Sequence, residues 1–526
     1  MDLSHPSRKR LAPGQHVATS GAILRYAATA FADKIGIVDG EREWTFAEVD
    51  ALANQFANAV ESVLGGAAGR VGIMARNSAE YAFAHFGTAR TGRVGINFST
   101  RSTVDDFIHA AALTKPAILI VDRATAAIAV EAGCALADSP KLVCIDDVEV
   151  PGIESFRGFI RGVPAAAPAV AVDPDAPGSI VFTGGTTGSP KAALSTQRAR
   201  AISAMAGVED FRIASDVVAG FTVPFSHAAG LFTWFQPAVL AGCTGIIAPH
   251  WDPALLMRLT ERHAITMVFA VPAQLAMLLD HPDFAPGRLR SLTTIVLGGA
   301  PAARGLIERA EAAMPWLACA RAYGSTETGH LAAQFKPDRA QVYDGLNQPG
   351  GRLEIEVFKS PGVAAAPGEI GEVATRGPHL MLEYLGDPAA TAEYFKSGET
   401  DGRWGWTGDL AMKHAGYISL VGRSKEMILS GGHNIYPIEL EEALLSHRDV
   451  AECAVFAMPD STWGELPVAA VVAASATPDA DQIMAHVGQR VARHKRVRKI
   501  FFVDLIPRTP AGKVQRHLLR RMCLGE

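Results

Sequence analysis

The chain has 526 residues, 48% apolar and 20% charged, a balance that suits a large globular enzyme of more than one domain. A net charge of −5 argues against a nucleic-acid surface. Six cysteines (Cys134, Cys144, Cys243, Cys319, Cys453, Cys523) stand without paired spacing; this argues against a disulfide framework or a zinc site and fits a reducing, cytoplasmic setting. The N-terminus carries basic residues but no apolar stretch, so it does not read as a secretory signal.

In chain order, Thr45 and Glu48 have capping-box spacing and open a helix that continues through Val60. Strand-like runs at 71–74, 118–121 and 142–145 alternate with helical stretches at 81–91, 104–113 and 124–135. An Ala/Pro-rich linker covers 164–171. Further strands are expected at 220–223, 245–248, 266–270 and 294–297, with helices between. The span 217–249 has no Asp, Glu, Lys or Arg, but Pro224, Pro237, His227 and Gln236 argue for strand, helix and strand rather than a membrane span. Such alternation implies parallel sheets covered by helices on both faces, with ligands at the carboxyl ends of the strands. From about Gly350 shorter alternating runs (353–357, 372–375) suggest a β-rich subdomain. After Arg423 a compact α+β tail follows: helix 437–446, strands 451–458 and 468–473, helix 480–491.

Residues 182–193, FTGGTTGSPKAA, hold three glycines, three threonines, a serine and one lysine, and no acid. The stretch follows a buried-strand run and precedes a segment with helical character from about Ser195. Backbone N–H groups of such a loop can turn inward as a nest for phosphate oxygens, with hydroxyls and Lys191 adding to it. A plain surface turn is the competing reading.

The stretch resembles the T-S-G-T-T-G-x-P-K-G signature of the adenylate-forming enzymes: acyl-CoA synthetases, adenylation domains of peptide synthetases and beetle luciferases. Gly184 stands where that pattern has Ser, and Ala192 where it has Gly. Tyr323-Gly324-Ser325-Thr326-Glu327 is similar to Y-G-x-T-E, Thr407-Gly408-Asp409 to T-G-D, and residues 422–441 to G-R-x-K-D-x-I-x-x-x-G-x-N-I-x-P-x-E-I-E. Pro507-Arg508-Thr509-Pro510-Ala511-Gly512-Lys513 is similar to P-R-T-x-x-G-K. The motifs come in the family's order from Trp44 to Arg516.

The resemblance implies an α/β fold with a large N-terminal ATP- and acyl-binding domain over 1–422: helix-covered, mostly parallel sheets plus the β-rich subdomain. A small mobile α+β C-terminal domain would occupy 423–526, hinged near Lys425. It implies ATP, Mg²⁺ and coenzyme A as cofactors. Thr183, Gly184, Gly185, Thr186, Thr187, Gly188 and Lys191 would cradle phosphate. Glu327 would hold Mg²⁺, with Thr186 as a second oxygen ligand. Tyr323 would stack on adenine and Thr326 would bind phosphate, with Gly324 and Ser325 in the same motif. Asp409 and Arg423 would hold ribose. Gly299, Ala300 and Pro301, after the strand 294–297, are assigned to the nucleotide side of the cleft. Lys425 marks the hinge, and Gly431 and Gly432 would line the pantetheine tunnel, although a tight turn also explains that pair. Lys513 would be the catalytic lysine, its cation offsetting charge at the α-phosphate as pyrophosphate leaves. The basic run 493–499 is a candidate contact for the CoA phosphates, with a solvated face as the plainer reading.

The acyl pocket would lie after Pro224-Phe225-Ser226-His227. No acidic residue occurs between Asp216 and Asp252, which disfavours an α-amino acid, since its buried ammonium would lack a counter-charge. His227 resembles a gate over the substrate carboxylate, against the alternative of a satisfied core histidine. The expected partners are a small apolar carboxylic acid, fatty or aromatic, with ATP and CoA, and no nucleic acid; a homodimer is one assembly entertained. A stand-alone adenylating enzyme that loads a carrier protein in trans shares every motif. A luciferase-like oxygenase and a non-catalytic binding module are the remaining alternatives.

Overall fold

A computed structural model describes residues 17–146, 150–183, 190–335, 346–347, 353–396, 403–414, 417–508 and 514–525. Two eight-stranded sheets form the bulk of the chain. The first runs edge to edge through Gly329–Gln334, Ala318–Ser325, Thr294–Leu297, Met267–Ala270, Val218–Phe221, Thr244–Ile247, Ile35–Asp39 and Arg42–Thr45. Its interior pairs are parallel, and only the two edge pairs are antiparallel. The second runs through Glu383–Tyr384, Lys191–Thr196, Pro177–Thr183, Gly95–Asn97, Arg70–Met74, Pro116–Val121, Lys141–Cys144 and Glu154–Ser155, parallel from Pro177–Thr183 onward. The expected mixed α/β architecture is therefore present, and its strands match the apolar runs predicted for them.

Helix Phe46–Leu64 starts as its sequence requires: the Glu48 backbone N–H donates to Thr45 Oγ1, and the Thr45 N–H donates to Glu48 Oε2 at 2.8 Å. Every residue of helix Ala79–Arg90 is buried, a pattern that a helix enclosed on all sides must adopt. Its polar residues are matched inside: Glu80 accepts from Arg42 at 2.6 Å, Arg90 pairs with Asp50, and His85 meets Gln236 at 2.8 Å. Burial pulls the His85 imidazole down to about 3, helped by the nearby Arg200 charge, so His85 is a neutral core residue.

The charge-free span resolves as strand Val218–Phe221, helix Ala229–Gln236–Leu240 and strand Thr244–Ile247. Its first helical part, Ala229–Phe235, is a wide π-helix. Among the described residues no helix is long and apolar enough to cross a membrane.

One expectation is corrected. The segment after the Gly/Thr-rich loop is not helical from Ser195. Lys191–Thr196 is a strand that pairs antiparallel with Pro177–Thr183, with Thr183 opposite Lys191, and the helix begins at Gln197. The loop therefore joins two strands of a hairpin, and no helix N-terminus stands directly behind it.

A third, antiparallel sheet of six strands, including Glu354–Ser360, Ile370–Arg376, Gly405–His414 and Tyr417–Arg423, forms the β-rich subdomain. The turn Ser424–Glu426 follows, and a last sheet is built on the long pair Val450–Asp460 and Gly464–Ala473. Helices Pro437–Leu445 and Ala480–Gly488 supply buried Leu440, Leu444, Ile483 and Val487 to the tail's own core.

Candidate active site

A cleft of about 470 Å³, in the range of small-ligand sites, opens where the carboxyl ends of the first sheet meet the antiparallel subdomain. The four segments expected to share a cleft all contribute: Thr183 and Lys191 flanking the Gly/Thr-rich loop, Pro224 and His227, Gly298 and Gly299, and Tyr323 through Glu327. Arg423 and Lys425 line it from the tail side. Ala300 and Pro301 continue the Gly299 turn but are not among the lining residues. Gly184, Gly185, Thr186, Thr187, Gly188 and Lys513 lie outside the described residues.

On the polar side, Asp409 is the hub; it is not itself among the lining residues and stands behind Tyr323, Thr407, Gly408 and Arg423, which are. It is 9% exposed; the Tyr323 hydroxyl donates to its Oδ2 and Arg423 Nε donates to its Oδ1, both at 2.9 Å. The Asp409 charge holds the Arg423 guanidinium above its ordinary value, against the opposing effect of burial. Burial, reinforced by Asp409, pushes the Tyr323 phenol well up, so it remains a donor. Strand pairing creates this cluster: Asp409 lies opposite Arg423 in register.

Tyr323, Gly324 and Ser325 belong to strand Ala318–Ser325 itself, and the turn falls at Thr326–Thr328. The Glu327 carboxylate accepts from the Tyr384 hydroxyl at 2.7 Å. Arg200, only 2% exposed, supports this turn from below. Its Nη1 donates to the Thr326 carbonyl at 3.3 Å, its Nε donates to Ser179 Oγ at 2.8 Å, and its guanidinium sits 4.4 Å from the Phe232 ring centre. Burial pulls Arg200 down to about 10, with Glu327 opposing. Arg200, Tyr384, Glu393 and Lys396 carry no motif, and the last three line the cleft beside the expected residues.

Gly324 is fixed by crowding. A Cβ there would lie 2.1 Å from the Gly329 carbonyl oxygen, on the paired strand. Gly324→Ala should cost about 1–3 kcal/mol through overpacking, read as a lower melting temperature together with weaker ATP-dependent stabilisation of the fold.

The apolar side of the cleft is made of Val223, Ala228, Ala229, Phe269 and Ala322, with Thr233 and His330 as polar members. Asn77 holds its entrance segment: Nδ2 donates to the Val223 carbonyl at 3.0 Å, and the Phe225 N–H donates to Oδ1 at 2.7 Å. His227 is half-buried and lines the cleft.

Gly431 and Gly432 are exposed and form the two-residue turn between Ile428–Ser430 and His433–Ile435, with φ of +57° and +80°. Positive φ at both positions is what such a turn demands. They do not line the cleft. The Trp463 ring covers Gly431 closely, and the His433 ring lies 4.6 Å from that of His494 in the basic run. Within that run Lys495 is paired to Glu439 at 2.7 Å.

Residues 24–385 match the model of the AMP-binding enzyme family, and residues 439–513 match the model of its C-terminal domain. The chain belongs to the AMP-binding enzyme family. Similar members include an indoleacetate–CoA ligase of Aromatoleum aromaticum, 33% identical over 92% of this chain and 94% of that one. A feruloyl-CoA synthase of an Amycolatopsis species is 31% identical over 91% and 93%. The long-chain-fatty-acid–CoA ligase FadD13 of Mycobacterium tuberculosis is 32% identical over 90% and 92%. Among solved structures, the anthranilate CoA ligase AuaEII in complex with anthranoyl-AMP superposes with a TM-score of 0.88 at 25% identity, over 96% of this chain and 97% of that one. This is an ATP-binding, adenylate-forming enzyme of the AMP-forming acid:CoA ligase group.

Proposed function

We propose that the chain activates an apolar carboxylic acid, aliphatic or aromatic, as its acyl-adenylate and passes the acyl group to the thiol of coenzyme A. The observation that carries this reading is the cleft itself. A carboxylate–tyrosine–arginine cluster suited to ribose lies beside a recess lined by Val223, Ala228, Ala229 and Phe269. The named activities of the similar proteins, on indoleacetate, feruloyl and long-chain fatty acyl groups, support an apolar acid.

In the first half-reaction the acid's carboxylate oxygen attacks the α-phosphorus of ATP and pyrophosphate leaves. In the second the thiol sulfur attacks the acyl carbon, AMP leaves, and the thiol proton passes to solvent or a base. The mixed anhydride divides one hard substitution into two easier ones. Asp409 and Arg423 would orient the ribose, the loop at 184–189 with Thr183 and Lys191 would hold phosphate, His227 would sit over the carboxylate, and Lys513 would meet the charge that builds on the α-phosphate. Among the described residues no cluster of three or more His, Cys, Asp or Glu side chains suits a metal. Mg²⁺, which keeps several waters and favours phosphate with one or two carboxylates, fits Glu327, which lines this cleft; when bound it would neutralise phosphate charge. The tail would turn about Lys425, taking 423–526 with it, to exchange the Lys513 loop for the Gly431-Gly432 turn. The contact between His433 and His494 places the basic run beside that turn, where CoA phosphates would find it.

Pyrophosphate release and thioester formation over straight-chain, cyclic and aromatic acids, with CoA or with a holo carrier protein as acceptor, test the reading. Thioester with CoA is the expected product. Strong pyrophosphate release that ignores CoA and responds only to the carrier would sink it.

A further inference from the structure

We propose that Tyr384 is a positioning residue that keeps Lys191 and Glu327 from pairing with each other, so that both charges stay available to MgATP. The inference rests on the ATP site read above and adds the residue that sets it. Tyr384 is buried, and it lines the cleft together with Lys191 and Glu327. Its hydroxyl donates to Glu327 Oε1 at 2.7 Å, and the Lys191 ammonium lies over its ring, 5.0 Å from the centre. A lysine and a glutamate that touch one side chain would ordinarily close into an ion pair. Among the described residues, neither Lys191 nor Glu327 makes one. Glu393, which also feels the Lys191 charge, is engaged by Lys425 at 2.9 Å. A ring face attracts a cation without neutralising it. A phenol hydroxyl engages one carboxylate oxygen and leaves the other lone pairs to accept elsewhere.

The segment that carries Tyr384 is stitched to both partners. Strand Glu383–Tyr384 pairs with Lys191–Thr196, the strand that begins at the lysine, with Tyr384 opposite Ala193. The Leu382 and Leu385 N–H groups donate to the Leu194 and Ala192 carbonyls at 2.7 and 2.8 Å. Just before them, the Met381 N–H donates to the carbonyl of Glu327 itself at 2.8 Å. The Tyr384 N–H donates to Thr391 Oγ1 at 3.0 Å. Backbone bonds thus tie this stretch to the lysine strand and to the glutamate, and they fix where the phenol stands between the two charges.

Calorimetric titration of the intact enzyme with ATP, once with Mg²⁺ and once with EDTA, tests the assignment. Tyr384→Phe keeps the ring and loses the hydroxyl. It should weaken MgATP binding about tenfold, as the loss of a hydrogen bond to a charged group does, and leave Mg²⁺-free ATP within about twofold. Tyr384→Leu removes the ring as well and lets Lys191 close on Glu327. Mg²⁺-free ATP should then weaken too, by about fivefold or more. A merely structural role would weaken binding by one common factor with and without Mg²⁺, and would lower the melting temperature alongside. That common factor in Tyr384→Phe, or unchanged MgATP binding in it, overturns the proposal. Lys191→Ala and Glu327→Gln are the references. If neither alters ATP binding in either condition, the reading of this cleft as the ATP site fails. If they do while Tyr384→Phe binds MgATP like the natural protein, only the role given to Tyr384 fails.

Discussion

Asp409→Asn should raise the KM for ATP about thirty- to hundredfold. The substitution keeps the shape of the side chain but turns one acceptor oxygen into an amide donor. Both carboxylate oxygens are already engaged, one by the Tyr323 hydroxyl and one by Arg423 Nε, so the new N–H group must face a donor. Removing one member of a buried ion pair costs roughly 3–5 kcal/mol. The Arg423 side chain is 38% exposed and water screens part of that loss, which brings the figure to about 2–3 kcal/mol. The ribose contacts proposed for this carboxylate go with it. Tyr323→Phe is the control: it removes a single hydrogen bond worth about 1 kcal/mol. In the double variant the two losses should fall short of additive, because the residues share one interaction. A KM for ATP unchanged in Asp409→Asn would detach this cluster from nucleotide binding.

Lys513→Ala should slow acid-dependent ATP–pyrophosphate exchange by about 10²–10³, the usual penalty for deleting one group aimed at transition-state charge. Thioester formation from chemically prepared acyl-adenylate should change far less, since the proposed turn of the tail about Lys425 would carry the lysine away from the site in that step. The segment carrying Lys513 lies outside the described residues; the residues that flank it are held by hydrogen bonds and an ion pair. Arg508 pairs with Val514, the Gln515 N–H donates to the Pro507 carbonyl at 2.8 Å, and Arg508 is bound to Glu452 at 3.0 Å. Equal loss in both half-reactions would argue for a structural role instead.

Much of this arrangement is readable in the residues. The strands of the two large sheets announce themselves as short apolar runs at regular intervals, and Thr45 with Glu48 predicts its helix start because capping is a local contact. Motif residues such as Tyr323, Asp409 and Arg423 are legible because they are bound to fixed spacings. The strand Lys191–Thr196 is not. Its alanines suit a helix as well as a strand, and the choice is made by pairing with Pro177–Thr183 and, beyond it, with Glu383–Tyr384. The π-helix Ala229–Phe235 has no local code either. Arg200 and Tyr384 act through partners far away in sequence, Thr326 and Glu327. The Asp210–His330 pair is 120 residues apart, and only the packed structure brings it together.

Arg516 donates to Glu441 in the tail's own core at 2.7 Å and reaches Glu426 in the turn just past Lys425 at 2.9 Å. One guanidinium thus ties a residue just past the Lys513 segment to the turn beside Lys425. On the proposed rotation about Lys425, the lysine would travel only with the whole tail, like a tool fixed to the end of a crank. A single crank serving both chemical steps would not present the lysine and the thiol port at once. Free CoA would thereby be kept from the adenylate until pyrophosphate chemistry is finished, and the swing between the two positions would set a ceiling on turnover.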